Sequence, residues 1–193
     1  MYSRCVSEKS AAQQRKFEAA LLELMKDRLF EEISISELCR YTGLSRKTFY
    51  RLYEAKADVV YAMIDHALLD ASSFEPDETV GPGGLHRFLA YWKTRKELLD
   101  MMKENRISAL LSQQAVIHIM QESPEIARCF GADASPFGRE LIVFYISGLF
   151  SLVLDWAYRD FDRSIDEMSD LIMQLLVNPP VKRPLATKSE NLM

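Results

Sequence analysis

The chain has 193 residues, of which 48% are hydrophobic and 27% are charged, and its formal net charge is −4. Its length allows one large domain or two small ones, and its composition is ordinary for a globular protein, which argues against a fibrous or low-complexity chain. With only seven glycines and seven prolines to break the chain, long helices are favoured over many short strands. We therefore predict an all-α fold.

The first predicted elements are two helices. Apolar residues from Ala11 to Leu29 recur at a spacing of about 3.6 residues, which predicts an amphipathic helix. Ser34 followed by Glu37 has the spacing of a capping box, in which each side chain satisfies a backbone N–H at a helix start. A short second helix is therefore predicted to begin at Ser34.

A glycine turn and a third helix follow. Gly43 tolerates the positive φ that ends a helix, and Ser45 can cap a helix that runs to about Tyr53. Residues 34–53 thus have the outline of a helix-turn-helix, and a ligand-free helical hairpin is the alternative. If Phe49 and Leu52 face the core, the outer face is cationic and can donate hydrogen bonds, as phosphate and base edges require.

The same stretch is where basic residues concentrate. Residues 36–56 hold five basic side chains and three tyrosines against two acidic side chains. Residues 1–60 carry eleven Lys and Arg against nine Asp and Glu, whereas residues 61–193 carry thirteen against nineteen. This asymmetry indicates an anionic partner for the N-terminal part only.

The segment ISISELCRYTGLSRKTFYRLYEAKADVV closely resembles the DNA-binding signature of the TetR family of bacterial transcription regulators. The resemblance is strong over residues 11–60 and looser beyond. Two departures are Lys47, where small residues are frequent, and Glu54, a negative charge near the expected path of a phosphate. Five positions match the signature outright: Gly43, Ser45, Thr48, Tyr50 and Lys56.

The resemblance implies which residues bind double-stranded DNA. Base reading in the major groove is expected of Arg46 and Lys47, since both side chains pair well with guanine. A phosphate is expected to bind the hydroxyl of Tyr50, and Lys56 is expected to hold the DNA backbone from the other side. The complete expected set is Ser34, Ser45, Arg46, Lys47, Thr48, Tyr50, Arg51 and Lys56.

After Lys56 the chain is predicted to continue as a helical body. A stripe to about Ser72 is followed by a loop at 72–84 that is rich in helix breakers. Residues 85–122 are helical stretches, and the resemblance implies that they surround a small inducing ligand. The simpler interpretation is that their apolar residues fill a core. The expected pocket residues are Trp92, Met101, Met102, Ile117 and Met120.

The last two predicted helices point to a homodimer. Between Leu141 and Ala157 only Asp155 is charged, and a helix that is apolar on every side must be covered on every side. A second stripe runs from Ser164 to Val177, and this pair resembles the dimerisation helices of the family; a large monomeric core is the alternative. The expected interface residues are Tyr145, Leu149, Leu152, Trp156, Met168 and Ile172.

These patterns predict three segments: an arm and DNA-binding domain at 1–56, a ligand-binding and dimerisation domain at 57–177, and a disordered tail at 178–193. The sequence has no GxSxG, Walker A or GxGxxG motif and no paired histidines, so we expect neither an enzyme nor a metal or other cofactor. Three widely spaced cysteines and an N-terminus without an apolar segment predict a cytoplasmic protein. The longest apolar run, 14 residues, is too short to span a bilayer, so no membrane partner is expected.

The resulting prediction is a homodimeric repressor that binds a palindromic operator and is released by a small molecule. Two alternatives remain open. One keeps the fold but acts as an activator or responds to a protein partner. The other is a helical interaction module whose helix-turn-helix does not bind DNA.

Overall fold

The computed structural model describes residues 7–72, 82–122, 128 and 136–177. Within these ranges every regular secondary-structure element is a helix, which confirms the all-α prediction. The loop proposed at 72–84 and the tail proposed at 178–193 fall wholly or mostly outside the described residues. The helices are α1 Glu8–Leu24, α2 Ile35–Thr42, α3 Arg46–Leu52, α4 Ala57–Ser72, α5 Pro82–Thr94, α6 Lys96–Glu104, α7 Ala109–Glu122, α8 Gly138–Tyr158 and α9 Ile165–Val177.

Local sequence signals fix the ends of α2 and α3. The hydroxyl of Ser34 accepts from the Glu37 N–H at 3.2 Å, and the Glu37 carboxylate accepts from the Ser34 N–H at 2.9 Å. Gly43 ends α2 with φ +69°, a conformation that costs an L-residue energy and glycine almost none. The hydroxyl of Ser45 then caps α3 by accepting from the Thr48 N–H at 3.1 Å. The predicted helix-turn-helix is therefore present.

Two boundaries differ from the prediction. The first helix ends at Leu24 rather than Leu29, and a short 3₁₀ turn at Phe30–Glu32 separates it from α2. The fifth helix begins at Pro82 rather than Leu85, because a proline lacks the N–H that the first helical position leaves unbonded anyway.

An aromatic cluster joins α1 to α3. The ring of Phe17 meets Phe49 and Tyr53 edge to face, with centroids 5.3 and 6.1 Å away. All three side chains are buried. Aromatic pairs in this geometry add to the free energy gained from burial alone. This packing makes α1–α3 one unit, called the helix-turn-helix unit below, with the outer side of α3 left uncovered.

The remaining helices, α4–α9, form the body. Helix α4 packs against both α1 and α7, so it belongs to the body and also supports the helix-turn-helix unit. Helix α8 packs against α7, α6 and α5, and α9 packs against α5. Trp92 of α5 lies at the centre, with its ring centroid 5.2 Å from that of Phe150 of α8.

Helix α8 is long and apolar enough to cross a bilayer, and no other helix in the described ranges is. A helix in the core of a globular protein can have the same length and apolar composition, so these two properties do not identify a membrane span. Eight of its residues are buried against the rest of the chain, including Ile142, Ile146 and Phe150. The opposite side of α8 is open, and it is described with the candidate sites below.

Candidate nucleic-acid interface

Helix α3 divides into an inner and an outer side. Phe49 and Leu52 point inward and are buried. Four residues of the outer side are exposed: Arg46, Lys47, Tyr50 and Arg51. Arg46 lies one helical turn before Tyr50, and Lys47 lies one turn before Arg51. The Tyr50 ring is 51% exposed and rests edge-on against Phe49, which holds the phenol at the surface. The structure thus brings the cations and the phenol together on one outward face, here called the α3 face.

The cations of this face differ in their partners. Arg51 reaches back to α1, where its guanidinium donates to the Gln13 side-chain oxygen at 2.5 Å. Arg46 and Lys47 make no ion pair with any residue the structure describes. Most other arginines of the chain for which a contact is resolved, such as Arg28, Arg95 and Arg159, lie against a carboxylate. Arg46 and Lys47 are therefore available to an anionic partner, and Arg51 is partly committed.

The two hydroxyls at the start of α3 serve the fold first. The Ser45 and Thr48 hydroxyls form a hydrogen bond with each other at 3.0 Å, in which either can donate, while the Ser45 oxygen also caps the helix. Ser45 remains exposed and Thr48 is half-buried. A second ligand at these hydroxyls would have to share them with the cap.

Two exposed residues beside the α3 face were absent from the predicted set. Arg40 and Tyr41 lie at the C-terminal end of α2, just before the Gly43 turn, and Tyr41 is 57% exposed. They belong to the basic, tyrosine-rich stretch that the sequence singles out. The sequence contained a signal for them, because the apolar stripe of the predicted second helix already implied that these two positions face outward. The third tyrosine of the stretch, Tyr53, is buried instead.

Lys56 is engaged within the chain. Its ammonium donates to the backbone carbonyls of Phe30, Glu31 and Ile33, at 3.3 Å for Glu31 and 2.6 Å for Ile33. It also lies 4.2 Å from the centre of the Phe30 ring. Burial lowers the pKa of this lysine. An ammonium has three hydrogens and the chain offers three acceptors, so a phosphate would have to compete with these carbonyls, and the DNA contact of Lys56 stays a prediction.

Ser34 is also engaged within the chain. Its hydroxyl donates to the Glu37 carboxylate at 2.9 Å, so a phosphate would have to compete for that proton, and the DNA contact of Ser34 stays a prediction. The Arg28 guanidinium lies 2.9 Å from that carboxylate. With the bonds from Ser34, this arginine lowers the pKa of Glu37 to about 2. Ser34 therefore belongs to a cap-and-ion-pair cluster that stabilises the start of α2.

The predicted pocket residues do not form one group. Trp92, Met101 and Met102 are buried in the core of the body. Ile117 and Met120 are exposed on α7, at 45% and 36%, so we correct their assignment to the pocket. The indole N–H of Trp92 is buried and has no hydrogen-bond acceptor among the described residues. A buried donor in this state is rare, because it loses its bonds to water without replacement.

Half of the predicted dimer residues lie inside the protomer. Trp156 is fully buried and donates from its indole nitrogen to the Arg163 carbonyl at 3.2 Å. Met168 and Ile172 are also buried, on the side of α9 that packs against α5. These three cannot reach a second subunit without unfolding the first, and we correct their assignment. Tyr145, Leu149 and Leu152 are half-buried and border the open side of α8.

That open side is a continuous strip along α8. Phe144, Gly148, Ser151 and Asp155 follow one another at spacings of three or four residues, and all are exposed. Phe144 is 72% exposed, which is unusual for a phenylalanine on a folded protein. An added Cβ at Gly148 would meet nothing within 4 Å. We call these four residues the α8 strip; its small central residues would allow a second helix to approach closely.

No metal site is present within the described ranges, where no group of three His, Cys, Asp or Glu side chains is placed to hold an ion. Cys39 is a buried free thiol.

Comparisons with known proteins show similarity to solved structures. No family model matches the chain, and no curated protein matches it. Among solved structures, the chain is similar to a TetR-like transcriptional regulator from Rhodococcus sp. RHA1. The two are 18% identical with a TM-score of 0.48, over 89% of this chain and 96% of the other.

Proposed function

We propose that the protein is a homodimeric transcription regulator that places α3 in the major groove of an operator. The observation that carries this proposal is the α3 face, on which Arg46 and Lys47 lie exposed without an ion-pair partner in the described chain. Tyr50 stands one turn from Arg46 on the same side and is 51% exposed. Arginine and lysine hydrogen-bond to guanine edges and phosphates, and a tyrosine hydroxyl donates to phosphate. Such a regulator works in the cytoplasm, where its DNA lies.

The α8 strip supports the homodimer. An exposed phenylalanine beside small residues on an otherwise apolar helix fits self-association better than contact with water. Two-fold symmetry would pair the strip with itself and present two copies of α3. The operator would then be palindromic, with half-sites about one helical turn, or roughly 34–36 Å, apart.

Release by a small molecule is supported by the centre of the body. Trp92 is fully buried, its indole N–H lacks an acceptor, and Phe88 and Phe150 surround its ring. Aromatic walls with one unsatisfied donor suit a mostly apolar ligand that carries a single acceptor. A regulator that leaves its operator when it binds a ligand acts as a repressor. An activator, or a regulator that responds to a protein partner, would have the same α3 face but would not need the Trp92 indole N–H as a ligand contact.

The proposal is tested by DNA binding across a range of salt concentrations. Fragments bound by the protein are selected from genomic DNA, and affinity for the best duplex is measured from low to moderate salt. Each phosphate contact contributes about 0.9 to the slope of log affinity against log salt. The double variant Arg46→Gln, Lys47→Gln should weaken selected duplex strongly and reduce the slope by about 2 for each bound subunit.

A matched control separates the α3 face from general charge. The double variant Lys103→Gln, Arg163→Gln also loses two exposed cations, but on the body. It should bind DNA almost as the unaltered protein does. Equal losses in both double variants would show non-specific attraction only, and equal retention in both would show that the α3 face does not read DNA.

A further inference from the structure

We propose that Asn105, the backbone of Phe30 and Lys56 form a polar latch that fixes the helix-turn-helix unit relative to the body. This inference rests on the proposed function for its purpose, since it names how the position of the α3 face is controlled. The contacts themselves do not depend on that function. Asn105 follows the last residue of α6, whereas Phe30 opens the 3₁₀ turn just before α2.

Asn105 is almost fully buried, and both ends of its side-chain amide are hydrogen-bonded. The Oδ1 atom accepts from the Phe30 N–H at 2.6 Å, a bond between residues 75 positions apart in sequence. The Nδ2 atom donates to the Met101 carbonyl at 2.9 Å. This pair of bonds sets the orientation of the amide, because a flipped amide would turn its NH₂ toward the Phe30 N–H. Asn105 is therefore a directional connection rather than a general contact.

The carbonyl of the same residue, Phe30, is held from the start of α4. The Phe30 carbonyl accepts from the Lys56 ammonium, which also bonds the Ile33 carbonyl at 2.6 Å and covers the Phe30 ring. Lys56 directly precedes α4. The 3₁₀ turn is thus bonded on one side to α6 and on the other to the start of α4.

The latch adds polar contacts to a turn with limited apolar burial. No residue of Phe30–Glu32 is fully buried; Phe30 packs against the core only in part, and the nearest fully buried side chain is that of Ile33, directly after the turn. Ser34, the cap of α2, lies two residues after the turn, and α2 packs against α3. The position of the turn therefore fixes the start of α2 and, through α2, the direction of the α3 face.

The latch also begins at the part of the body that a ligand would disturb. Met101 and Met102 are buried one turn before Asn105 on the same helix, and the Met101 carbonyl is itself a partner of Asn105. A ligand that displaces these methionines would move the end of α6. Because hydrogen bonds weaken steeply with misalignment, the Phe30 turn would be released rather than stretched.

Substitutions at position 30 can isolate the backbone bond. Leu29 has φ −68° and ψ 148°, which is the backbone conformation that a residue before proline prefers. Position 30 opens a 3₁₀ turn, where the φ of proline fits. Phe30→Pro removes the ring and the N–H, whereas Phe30→Ala removes the ring alone. The difference between these two variants reports the bond to Asn105.

The test measures the distance distribution between two spin labels under native conditions. Labels are placed at Ser36→Cys on α2 and Gln113→Cys on α7, both exposed positions. Cys5 and Cys129 are replaced by serine in every variant, and burial raises the pKa of the Cys39 thiol, which keeps it unreactive. Labelled protein is diluted with unlabelled protein, so that only distances within one protomer are counted.

Asn105→Ala and Phe30→Pro should each broaden the distribution at least about twofold, and the double variant should be no broader than either single one, because both remove the same bond. Phe30→Ala should keep the narrow distribution. Narrow distributions in Asn105→Ala and Phe30→Pro, with stability lowered alike, would assign Asn105 to stability alone and overturn the latch.

A second arm separates this inference from the proposed function. Affinity for the selected duplex should fall about three- to tenfold in Asn105→Ala and Phe30→Pro, the range expected for one lost hydrogen bond, and change less in Phe30→Ala. Broadened distances without any DNA binding by the unaltered protein would support the latch and refute the regulator. Unchanged distances in the variants, together with DNA binding by the unaltered protein, would refute the latch and support the regulator.

Discussion

Two cations of the basic stretch have opposite surroundings in the structure, although nothing in the sequence distinguishes them. Arg46 is exposed without an ion-pair partner in the described chain, whereas Lys56 is enclosed by three carbonyls of the Phe30 turn. Lys56 is one of the five residues that match the TetR-family signature outright. Its partners are backbone oxygens, which a residue pattern does not display. The sequence therefore marks the basic stretch but does not show which of its charges bind the chain itself.

The substitution Lys56→Gln separates a contribution to stability from one to DNA binding. It should lower the midpoint of urea unfolding, because the partly buried carbonyls of Phe30 and Ile33 lose their donor, each at a cost of roughly 1 kcal/mol. It should leave the salt slope of DNA binding unchanged, whereas Arg46→Gln should lower that slope by about 1 with little loss of stability. Urea unfolding and salt titration of the same two variants check this. A slope reduced equally in both would place Lys56 in the interface.

Glu37 gives a prediction for acid unfolding. Its folded pKa of about 2 lies below the ordinary value of 4.5 because of the Arg28 guanidinium and the bonds from Ser34. A carboxylate with a lowered folded pKa adds stability above its unfolded pKa, and this stability is lost as the pH falls toward the folded pKa. Between about pH 4.5 and pH 2 the unaltered protein should therefore lose more stability than Glu37→Gln does.

Chemical unfolding at several pH values measures this difference. At pH 7 the unaltered protein should be the more stable of the two, and the two curves should converge near pH 2. Parallel curves across the window would show that the ion pair with Arg28 does not form in solution. Glu31→Gln, a neighbouring exposed glutamate of the 3₁₀ turn, is the control and should follow the unaltered protein.

Among the elements, the α2–α3 turn depends on one backbone conformation. Gly43 has φ +69°, and no atom lies within 4 Å of a Cβ built there, so the difficulty for any other residue is conformational rather than spatial. Gly43→Ala should cost about 1–2 kcal/mol of unfolding free energy. Gly83, near the start of α5, is also open but has no positive φ. Gly83→Ala should stabilise by about 0.5–1 kcal/mol, since alanine is the better helix former.

Opposite signs in these two glycine variants are the expected result of urea unfolding. A loss at both positions would indicate that α5 does not begin at Pro82 in solution. A gain at both would show that Gly43 can leave the left-handed conformation, and the turn between α2 and α3 would then be less constrained than the structure shows.

At the scale of the elements, the sequence predicted those helix ends and turns that depend on residues close together in the chain. The capping box at Ser34, the glycine turn and the cap at Ser45 depend on neighbouring residues, and all three are present. The 3₁₀ turn at Phe30–Glu32 was not predicted, because its bonds reach Asn105 and Lys56, far away in sequence. Trp156 was assigned to a dimer interface because α8 is apolar on every side, so no periodicity marks the side that the protomer itself covers.

For the whole molecule, the open question from sequence was which apolar residues belong to the protomer core and which to a second subunit. The structure divides them: Trp156, Met168 and Ile172 lie inside, and the α8 strip lies outside. A substitution at Trp156 would therefore unfold the protein instead of separating subunits. The dimer must be tested at a position where the protomer has room.

Gly148→Leu meets that requirement. In the protomer a Cβ at this exposed position contacts nothing within 4 Å, and leucine favours the helix by about 0.5–1 kcal/mol over glycine, so the folded subunit should not be weakened. Across a close two-fold contact, two leucines would collide and separate the subunits. Sedimentation should show a dimer for the unaltered protein and a monomer for Gly148→Leu, with the same helical content.

Gly83→Leu supplies the matched control, since it makes the same change at another open glycine of a helix. It should remain dimeric and bind the selected duplex normally. Gly148→Leu should retain only half-site binding, because each monomer contributes one α3 face and the palindrome gains affinity from two held at a fixed spacing. An unaltered protein that sediments as a monomer at micromolar concentration would remove the palindrome, while leaving the α3 face as a single DNA contact.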